Sequence, residues 1–283
     1  MNRFILTAVF LLLVAAGCSQ PSVQPPASQA TTVPDAAPSP AGEAAAPAST
    51  PAASASPDSN GNTAAGKTGQ PIPISYKMNA NYDIVPLDPA GNKKVVLLTF
   101  DDGPKEKQQI DKLIDTLDKH KAKAIFFVNG YRVKQNPDLL KLIHDRGQII
   151  GNHSWDHIEL KTEPLEKVER QIGDVQAIVK ELTGSAPVFF RPPNGAGGSD
   201  TVRSVAASHK LLQMNWSNGS EDWVKKYQNP EGLTQRVMDQ LHSGSNILMH
   251  ELPWTVEALD HLLTLLEEKG YSFVDPRSIE TPQ

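Results

Sequence analysis

The 283-residue chain contains a single cysteine, Cys18, so no disulfide can form within it. Positive charge is not in excess, because 27 Lys and Arg stand against 32 Asp and Glu, for a formal net charge of −5. The chain has no basic stripe with interleaved aromatic residues, which argues against nucleic-acid binding. No internal repeat is evident. The composition therefore points away from disulfide scaffolds, repeat proteins and nucleic-acid-binding proteins.

The N-terminal apolar run is too short to serve as a membrane span. It covers residues 4–16, whereas a membrane-spanning helix needs about 20 residues. Its place after Arg3 and before small residues is typical of a cleaved export signal. The segment LVAAGCSQ resembles a bacterial lipobox, in which Cys18 would receive diacylglycerol and become the first mature residue. Ala15 stands where leucine is more usual, so cleavage and secretion without lipid remains the alternative.

Residues 18–72 are almost wholly Ala, Pro, Ser, Thr and Gly. Such a segment cannot bury enough apolar surface to offset the entropy lost on ordering, so we predict a disordered linker. The predicted organisation is a lipoprotein signal peptide at 1–17, lipidated Cys18 with the linker at 18–72, and one folded domain at 73–283. The linker would either hold that domain at a distance from the membrane or act only as a spacer.

Within the folded part, short apolar runs alternate with segments of helical periodicity. We predict strands at residues 95–100, 124–128, 148–152, 188–191, 211–216, 246–250 and 271–274. We predict helices at residues 107–120, 137–145, 164–182, 201–209, 232–241 and 255–269. This alternation indicates an α/β domain with a parallel sheet. Periodicity alone leaves open whether the sheet closes into a barrel.

Polar side chains with catalytic potential fall at the ends of the predicted strands. In chain order they are Asp101, Asp102, His153, His157, Arg191, Asp222 and His250. The carboxyl ends of parallel strands meet at one face, where binding and catalytic groups collect. Independent solvated turns would instead occur at both ends of the strands. We therefore expect these side chains to converge.

Two of the strand ends suggest a metal site. Asp101 and Asp102 are adjacent, and neighbouring residues of an extended strand point to opposite sides, so we expect different roles for them. His153 and His157 are four residues apart, which on a helical turn places both imidazoles on one side. Two imidazoles and one carboxylate leave a metal position open, as in catalytic zinc sites. The remaining carboxylate would lie near the metal-bound water as a base.

Five short motifs then resemble, in order, those of polysaccharide deacetylases, which form carbohydrate esterase family 4. They are TFDDGP (99–104), HSWDH (153–157), RPPNG (191–195), SEDW (220–223) and LMH (248–250). The resemblance covers residues 93–276, nearly all of the folded part. This family removes acetyl groups from chitin, peptidoglycan and related sugars. The resemblance implies a NodB-homology catalytic domain whose fold is a distorted (β/α) barrel with seven to eight strands.

The resemblance also implies roles for the first three motifs. Asp102, His153 and His157 would bind one divalent metal ion, with zinc expected and cobalt or nickel as alternatives. Asp101 would be the base that takes a proton from the metal-bound water. Arg191 would pair with Asp101 and hold it in place, a task suited to a planar guanidinium group.

The remaining motifs would supply the acid and the substrate contacts. His250 would protonate the departing sugar amine, and Asp222 would orient His250 and favour its charged form. A backbone N–H near Asn194 would help to hold the oxyanion. Trp223 and Leu248 would line the acetyl pocket. The simpler alternatives are a surface ion pair for Arg191, a helix cap for Asp222, and plain packing for Trp223 and Leu248.

Three positions depart from the family pattern. Asn194 stands where an aromatic residue is frequent, Gly219 where an acid is frequent, and Glu251 where aspartate is frequent. These departures bear on substrate preference and rate more than on the type of reaction. Trp155 and Trp254 could form a sugar-stacking rim or could simply pack in the interior.

We therefore expect a monomeric, metal-dependent N-deacetylase. Its partners would be the GlcNAc or MurNAc residues of cell-wall polysaccharide, either peptidoglycan or chitin-like oligomers, and the membrane, through the lipid on Cys18. It would lie outside the cytoplasm, anchored to the cell membrane. The alternatives are an O-acetyl esterase on the same polymers and a catalytically weak, glycan-binding lipoprotein. A glycosidase is disfavoured, since no carboxylate pair remains once one acid binds metal.

Overall fold

The computed structural model describes residues 72–283. The predicted signal peptide, Cys18 and all but the last residue of the predicted linker lie outside the described residues. The strands are β1 (Tyr76–Met78), β2 (Ile84–Pro86), β3 (Val95–Gly103), β4 (Ala124–Val128), β5 (Ile149–Asn152), β6 (Phe189–Phe190), β7 (Leu212–Gln213), β8 (Asn218–Gly219), β9 (Ser245–His250) and β10 (Ser272–Phe273). The helices are α1 (Lys107–Lys119), α2 (Gly130–Gln135), α3 (Pro137–Asp145), α4 (Leu165–Thr183), α5 (Asp200–Ser208), α6 (Pro230–Asp239) and α7 (Pro253–Glu268).

Eight of these strands form one parallel sheet. Its order is β7-β6-β5-β4-β3-β9-β8, and β10 pairs with the first residues of β3. The end strands β7 and β8 do not pair with each other, so the sheet is a curled, incomplete barrel. The predicted α/β fold, a distorted (β/α) barrel with seven to eight strands, is confirmed. The antiparallel pair β1-β2, strand β8 and helix α2 are additions that the apolar pattern did not predict.

Strand β3 is apolar throughout because both of its faces are buried. Val96, Leu98 and Phe100 face one core, where they pack with residues of α1 and α7. Val95 and Leu97 face a second core on the opposite side of the sheet. Burying a side chain of this kind contributes about 1.5–3 kcal/mol, so β3 is anchored firmly from both sides. Its C-terminal end is therefore a rigid support for Asp101 and Asp102.

The described part of the chain, residues 72–283, contains no helix that is both long enough and apolar enough to cross a membrane.

Gly151 in β5 is a position where the second core tolerates no side chain. A Cβ there would lie 2.4 Å from Cδ1 of Phe127 and 2.9 Å from Cγ2 of Ile125. We expect Gly151→Ala to lower the free energy of unfolding by about 1–3 kcal/mol through overpacking. Gly198→Ala is the matched control, because a Cβ at that position would have no heavy atom of the described residues within 4 Å. Urea denaturation of both variants is the measurement, and equal stabilities would contradict this packing argument.

Candidate active site

The C-terminal ends of β3, β5, β6 and β9 surround an open cavity of about 450 Å³. The residues that line it are Asp101, Asp102, His153, His157, Pro192, Asn194, Trp216, Trp223, Leu248 and His250. Arg191 and Asp222 lie behind this lining and are fully buried. The structure thus brings the polar residues of all five motifs to one face of the sheet.

A β-bulge places both aspartates in this cavity. Asp101 is opposite Phe127 of β4 and Gly103 is opposite Val128, which leaves Asp102 as the extra residue. Asp102 has a φ of 66°, and this left-handed conformation breaks the alternation of the strand. The expectation that the two carboxylates point to opposite sides was therefore wrong. The bulge keeps them on the same side while giving them different neighbours.

The two histidines lie on a loop after β5, not on a helix. Ser154 and His157 have φ values of 66° and 55°, so residues 153–157 form an irregular turn and the expected helical spacing was wrong. Buried Asn152 shapes this turn: its Oδ1 accepts from the Ser154 N–H at 2.9 Å, and its Nδ2 donates to the Ile172 carbonyl. The loop still brings both imidazoles to Asp102.

Asp102, His153 and His157 fit the requirements of a divalent metal site. One ligand atom from each residue lies within 4.8 Å of the others. Asp102 Oδ1 is 3.1 Å from Nε2 of His157 and 3.5 Å from Nε2 of His153. Ligands of a tetrahedral zinc ion, bound at about 2.0–2.2 Å, are roughly 3.3 Å apart. The spacing observed is therefore close to the spacing that zinc requires.

Two further features of these atoms favour a cation. His153 Nδ1–H donates to the Arg191 carbonyl at 2.7 Å, which leaves the lone pair of a neutral ring on Nε2, facing Asp102. Asp102 Oδ1 is buried and, among the described residues, has no well-oriented hydrogen-bond donor. Burial opposes ionisation of Asp102, but hydrogen bonds from the two imidazoles, when their Nε2 atoms carry protons, outweigh it and lower the pKa of this carboxyl far below its usual range. A cation between the three groups would take the place of those protons. An ionised, unsatisfied carboxylate between two imidazoles is suited to a metal ligand role.

Asp101 is held by a fully buried arginine. Nη1 of Arg191 donates to Oδ1 of Asp101 at 2.7 Å and to Oγ1 of Thr99 at 2.8 Å. Nη2 donates to the carbonyl of Asn215 at 2.9 Å, and the guanidinium group lies 4.4 Å from the ring centroid of Phe127. Burial lowers the pKa of Arg191 in spite of the charge of Asp101. This geometry disagrees with the surface-ion-pair alternative, since neither partner is exposed.

Asp222 and His250 form a second pair across the cavity. Oδ1 of Asp222 is 2.7 Å from Nδ1 of His250, and Oδ2 accepts from the His250 backbone N–H at 2.7 Å and from Thr255 Oγ1 at 2.8 Å. Burial alone would lower the pKa of His250, but the hydrogen bond and charge of Asp222 outweigh it and raise this pKa. Asp222 therefore orients the imidazole and is not a helix cap.

An apolar wall completes the cavity. Leu248 is buried, Trp223 is 45% exposed, and the ring of Trp223 meets that of His250 edge-on at 5.2 Å between centroids. Asn194, with a φ of 56°, also lines the cavity. Trp155 packs on Gly130 instead, and Trp254 donates its indole N–H to the Asp222 carbonyl at 2.8 Å. In the described chain neither of these two lines the cavity, so packing is the better account of both.

Trp216 also lines the cavity, although none of the sequence motifs predicted it as a site residue. A Cβ on Gly219 would lie 3.2 Å from Nε1 of Trp216, and one on Gly195 would lie 3.3 Å from its Cη2. The indole thus occupies space that a larger residue at position 219 would crowd. Gly219, which stands where an acid was expected, was the one sequence feature that could have indicated this. The absence of a side chain at position 219 leaves room for the Trp216 indole.

The fold and this cavity define an α/β-barrel protein. Its candidate divalent-metal centre lies between a buried carboxylic acid, Asp101, and a partly buried imidazole, His250. A family model for polysaccharide deacetylase matches residues 88–214. The peptidoglycan-N-acetylglucosamine deacetylase PgdA of Listeria monocytogenes is 40% identical over 186 residues, which are 65% of this chain and 38% of PgdA. A peptidoglycan-N-acetylglucosamine deacetylase of Bacillus cereus is 32% identical over 190 residues, which are 65% of this chain and 86% of that protein.

A solved structure matches at a similar level. BA3943 of Bacillus anthracis, described as a CE4 family pseudoenzyme, is 34% identical with a TM-score of 0.61, covering 64% of this chain and 63% of that one. The chain belongs to the polysaccharide deacetylase family. It spans 38% of the length of Listeria PgdA, so it resembles one part of that larger protein.

Proposed function

We propose that this chain is a metal-dependent deacetylase that removes N-acetyl groups from amino sugars of cell-wall peptidoglycan. The observation that carries this proposal is the pairing of Asp101 with Arg191 on one side of the candidate metal site and of Asp222 with His250 on the other. A binding protein has little need for a base and an acid that are each held by a buried partner around the same cavity. A purely structural role would not account for two such pairs, Asp101–Arg191 and Asp222–His250, on either side of one candidate metal site.

Asp102, His153 and His157 would hold the metal ion. When bound there, a divalent cation would act as a Lewis acid that polarises the acetyl carbonyl and makes water more acidic. Asp101 would accept the proton of the attacking water on its Oδ2, because its Oδ1 is engaged by Arg191. Trp223 and Leu248 would contact the acetyl methyl group and exclude bulk water from it.

His250 would complete the reaction as the general acid. Its Nδ1 is bound to Asp222, so its Nε2 is the atom free to protonate the amine that leaves. Burial disfavours the charged form of His250, but the hydrogen bond and charge of Asp222 outweigh it and raise the pKa of His250, which favours the protonated form. Asp101 and His250 are partners in the β3-β9 register, so the base and the acid lie on adjacent strand ends.

Peptidoglycan GlcNAc is the proposed substrate because the Listeria and B. cereus relatives carry that activity in their names. MurNAc residues and chitin-like oligomers are the alternatives. We also propose zinc as the metal, residues 73–283 as the catalytic domain, and a monomer that reaches the wall from the membrane. That tether rests on the lipobox-like segment around Cys18 alone, and secretion without lipid is its alternative.

Mass spectrometry of digested glycans tests the reaction type. The zinc-loaded protein would be incubated with peptidoglycan fragments that carry N-acetyl groups, and separately with fragments that also carry O-acetyl groups. We expect loss of N-acetyl and a new free amine on GlcNAc. Loss of O-acetyl alone would support the esterase alternative, and binding without any loss would support the glycan-binding role.

The Asp222–His250 pair makes a prediction about pH. In Asp222→Asn the imidazole loses the charge that raises its pKa, so it should lose its proton at lower pH than in the wild type. We expect the alkaline limb of kcat/KM to move to lower pH and kcat to fall roughly tenfold or more. Thr255→Val is the control, because it removes one hydrogen bond to Asp222 but leaves the charge. An unmoved alkaline limb in Asp222→Asn would contradict the role assigned to His250.

A further inference from the structure

Glu251, the residue after His250, is a buried carboxylic acid that the mechanism above does not use. It is 1% exposed, and burial raises its pKa to about 7, against the opposing effect of the Lys105 backbone N–H. Its Oε2 accepts from that N–H at 2.9 Å. Its Oε1 is buried and has no hydrogen-bond partner among the described residues. A carboxyl group so deeply buried needs a structural or functional reason.

The carboxyl group of Glu251 fills a space that the aspartate bulge leaves open. A Cβ on Gly103 would lie 2.0 Å from Oε1 of Glu251 and 2.8 Å from its Cδ. Gly103 thus admits the acid, and the acid packs directly against the backbone of the residue that follows Asp102. The two positions therefore depend on each other, although they are 148 positions apart in the sequence.

The contact of Glu251 with Gly103 and Lys105 lies just beyond the point where backbone pairing between β3 and β9 ends. Pairing between β3 and β9 ends at Asp101 opposite His250, and the bulge at Asp102 carries the chain away from the ladder. On the β9 side, the Lys105 N–H is bound by the Glu251 side chain in place of a strand neighbour. This hydrogen bond therefore links the chain after β3, which carries Asp101 and Asp102, to the chain after β9, which carries His250. It lies beyond the last backbone pair of the two strands, Asp101 with His250.

We propose that Glu251 is a positioning residue that holds the Asp101–Asp102 bulge in register with His250. It acts through Gly103 and Lys105 and touches neither the metal site nor the substrate. The inference rests on the proposed function of the site, because it assigns Glu251 the task of setting the distance between metal ligand, base and acid. An aspartate at this position would be one methylene shorter than Glu251 and would reach less far toward the Lys105 N–H, which Glu251 binds at 2.9 Å.

The test uses the intact protein with Co²⁺ as a probe, because the visible absorption of bound Co²⁺ reports ligand geometry without any need for turnover. Glu251→Ala removes the acceptor and the packing against Gly103. We expect it to weaken Co²⁺ affinity roughly 10-fold, alter the absorption band and lower kcat by about 10–100-fold with KM little changed, as for other groups that support metal ligands.

Glu251→Gln is the conservative variant, since its amide oxygen can still accept from Lys105 N–H. We expect it to restore the absorption band and to keep kcat within about threefold of the wild type, as a positioning role requires. Wild-type Co²⁺ affinity and kcat in a folded Glu251→Ala protein would overturn the proposal. Equal loss in both variants would also overturn it, because the negative charge and not the position would then matter. A wild-type protein that binds Co²⁺ but releases no acetate would refute the deacetylase function and leave this test intact.

Discussion

Asp101→Asn is expected to lower kcat for acetate release by about 10²–10⁴-fold, the usual contribution of a general base. The amide cannot take a proton from water, yet its oxygen can still accept the hydrogen bond from Arg191. The metal ligands Asp102, His153 and His157 are unchanged, so we expect one metal ion to bind as in the wild type. Acetate assays combined with metal analysis of the same preparation give the measurement.

The buried Asp101–Arg191 pair makes a check of folding necessary for this variant. Loss of the Asp101 charge leaves the guanidinium group of Arg191 buried without its counter-ion, which costs about 3–5 kcal/mol when a buried pair is broken. Thermal unfolding must therefore show that Asp101→Asn is folded at the assay temperature. If it is folded, binds metal and releases acetate at the wild-type rate, Asp101 is not the base.

His153→Ala is expected to weaken metal binding severely and to abolish activity. It removes one of three ligands, the one whose ring is fixed by the Arg191 carbonyl. Loss of groups that merely support a ligand already costs about 10–100-fold, so we expect metal affinity to fall by more than about 100-fold. Isothermal titration with Zn²⁺ and acetate assays at saturating metal would measure the two losses.

His209→Ala is the matched control for this prediction. His209 pairs with Glu169 on the surface and is not part of the cavity lining. Zinc affinity and acetate release should both equal those of the wild type. Wild-type zinc affinity in His153→Ala would show that the metal binds elsewhere, and the assignment of the three ligands would then fail.

The sequence was sufficient to predict most of the sheet and the place of its polar ends. Strands such as β3 and β4 are buried on both faces, so their apolar runs are unbroken and easily recognised. Helices α1, α4 and α7 have one apolar stripe each and were predicted to within two residues at either end. Strand β8 has two residues and no apolar pattern, so no sequence signal marks it.

The local geometry of the site was less predictable. The bulge at Asp102 and the turn through His157 depend on positive φ angles at non-glycine residues, which the surrounding fold imposes. The burial of Glu251 depends on Gly103, a residue distant in the chain. The order of the motifs predicted which residues meet, whereas tertiary packing determines how they are oriented.

Family membership does not by itself decide whether this chain is catalytic, because BA3943 is described as a pseudoenzyme. This chain's own residues favour catalysis. Asp101 is oriented by Arg191, and His250 by Asp222, with donor–acceptor distances of 2.7 Å in both pairs. These buried pairs are costly to maintain in a protein that only binds, since each requires the desolvation of charged groups.

The most direct test of the central claim is acetate release from N-acetylated peptidoglycan while zinc is added to metal-free protein. We expect no acetate without metal, and acetate release that rises with added zinc and levels off at one ion per chain. Binding of one zinc ion per chain with no acetate released at any zinc level would contradict it and favour a glycan-binding role. Equal release with and without metal would contradict the metal-dependent mechanism itself.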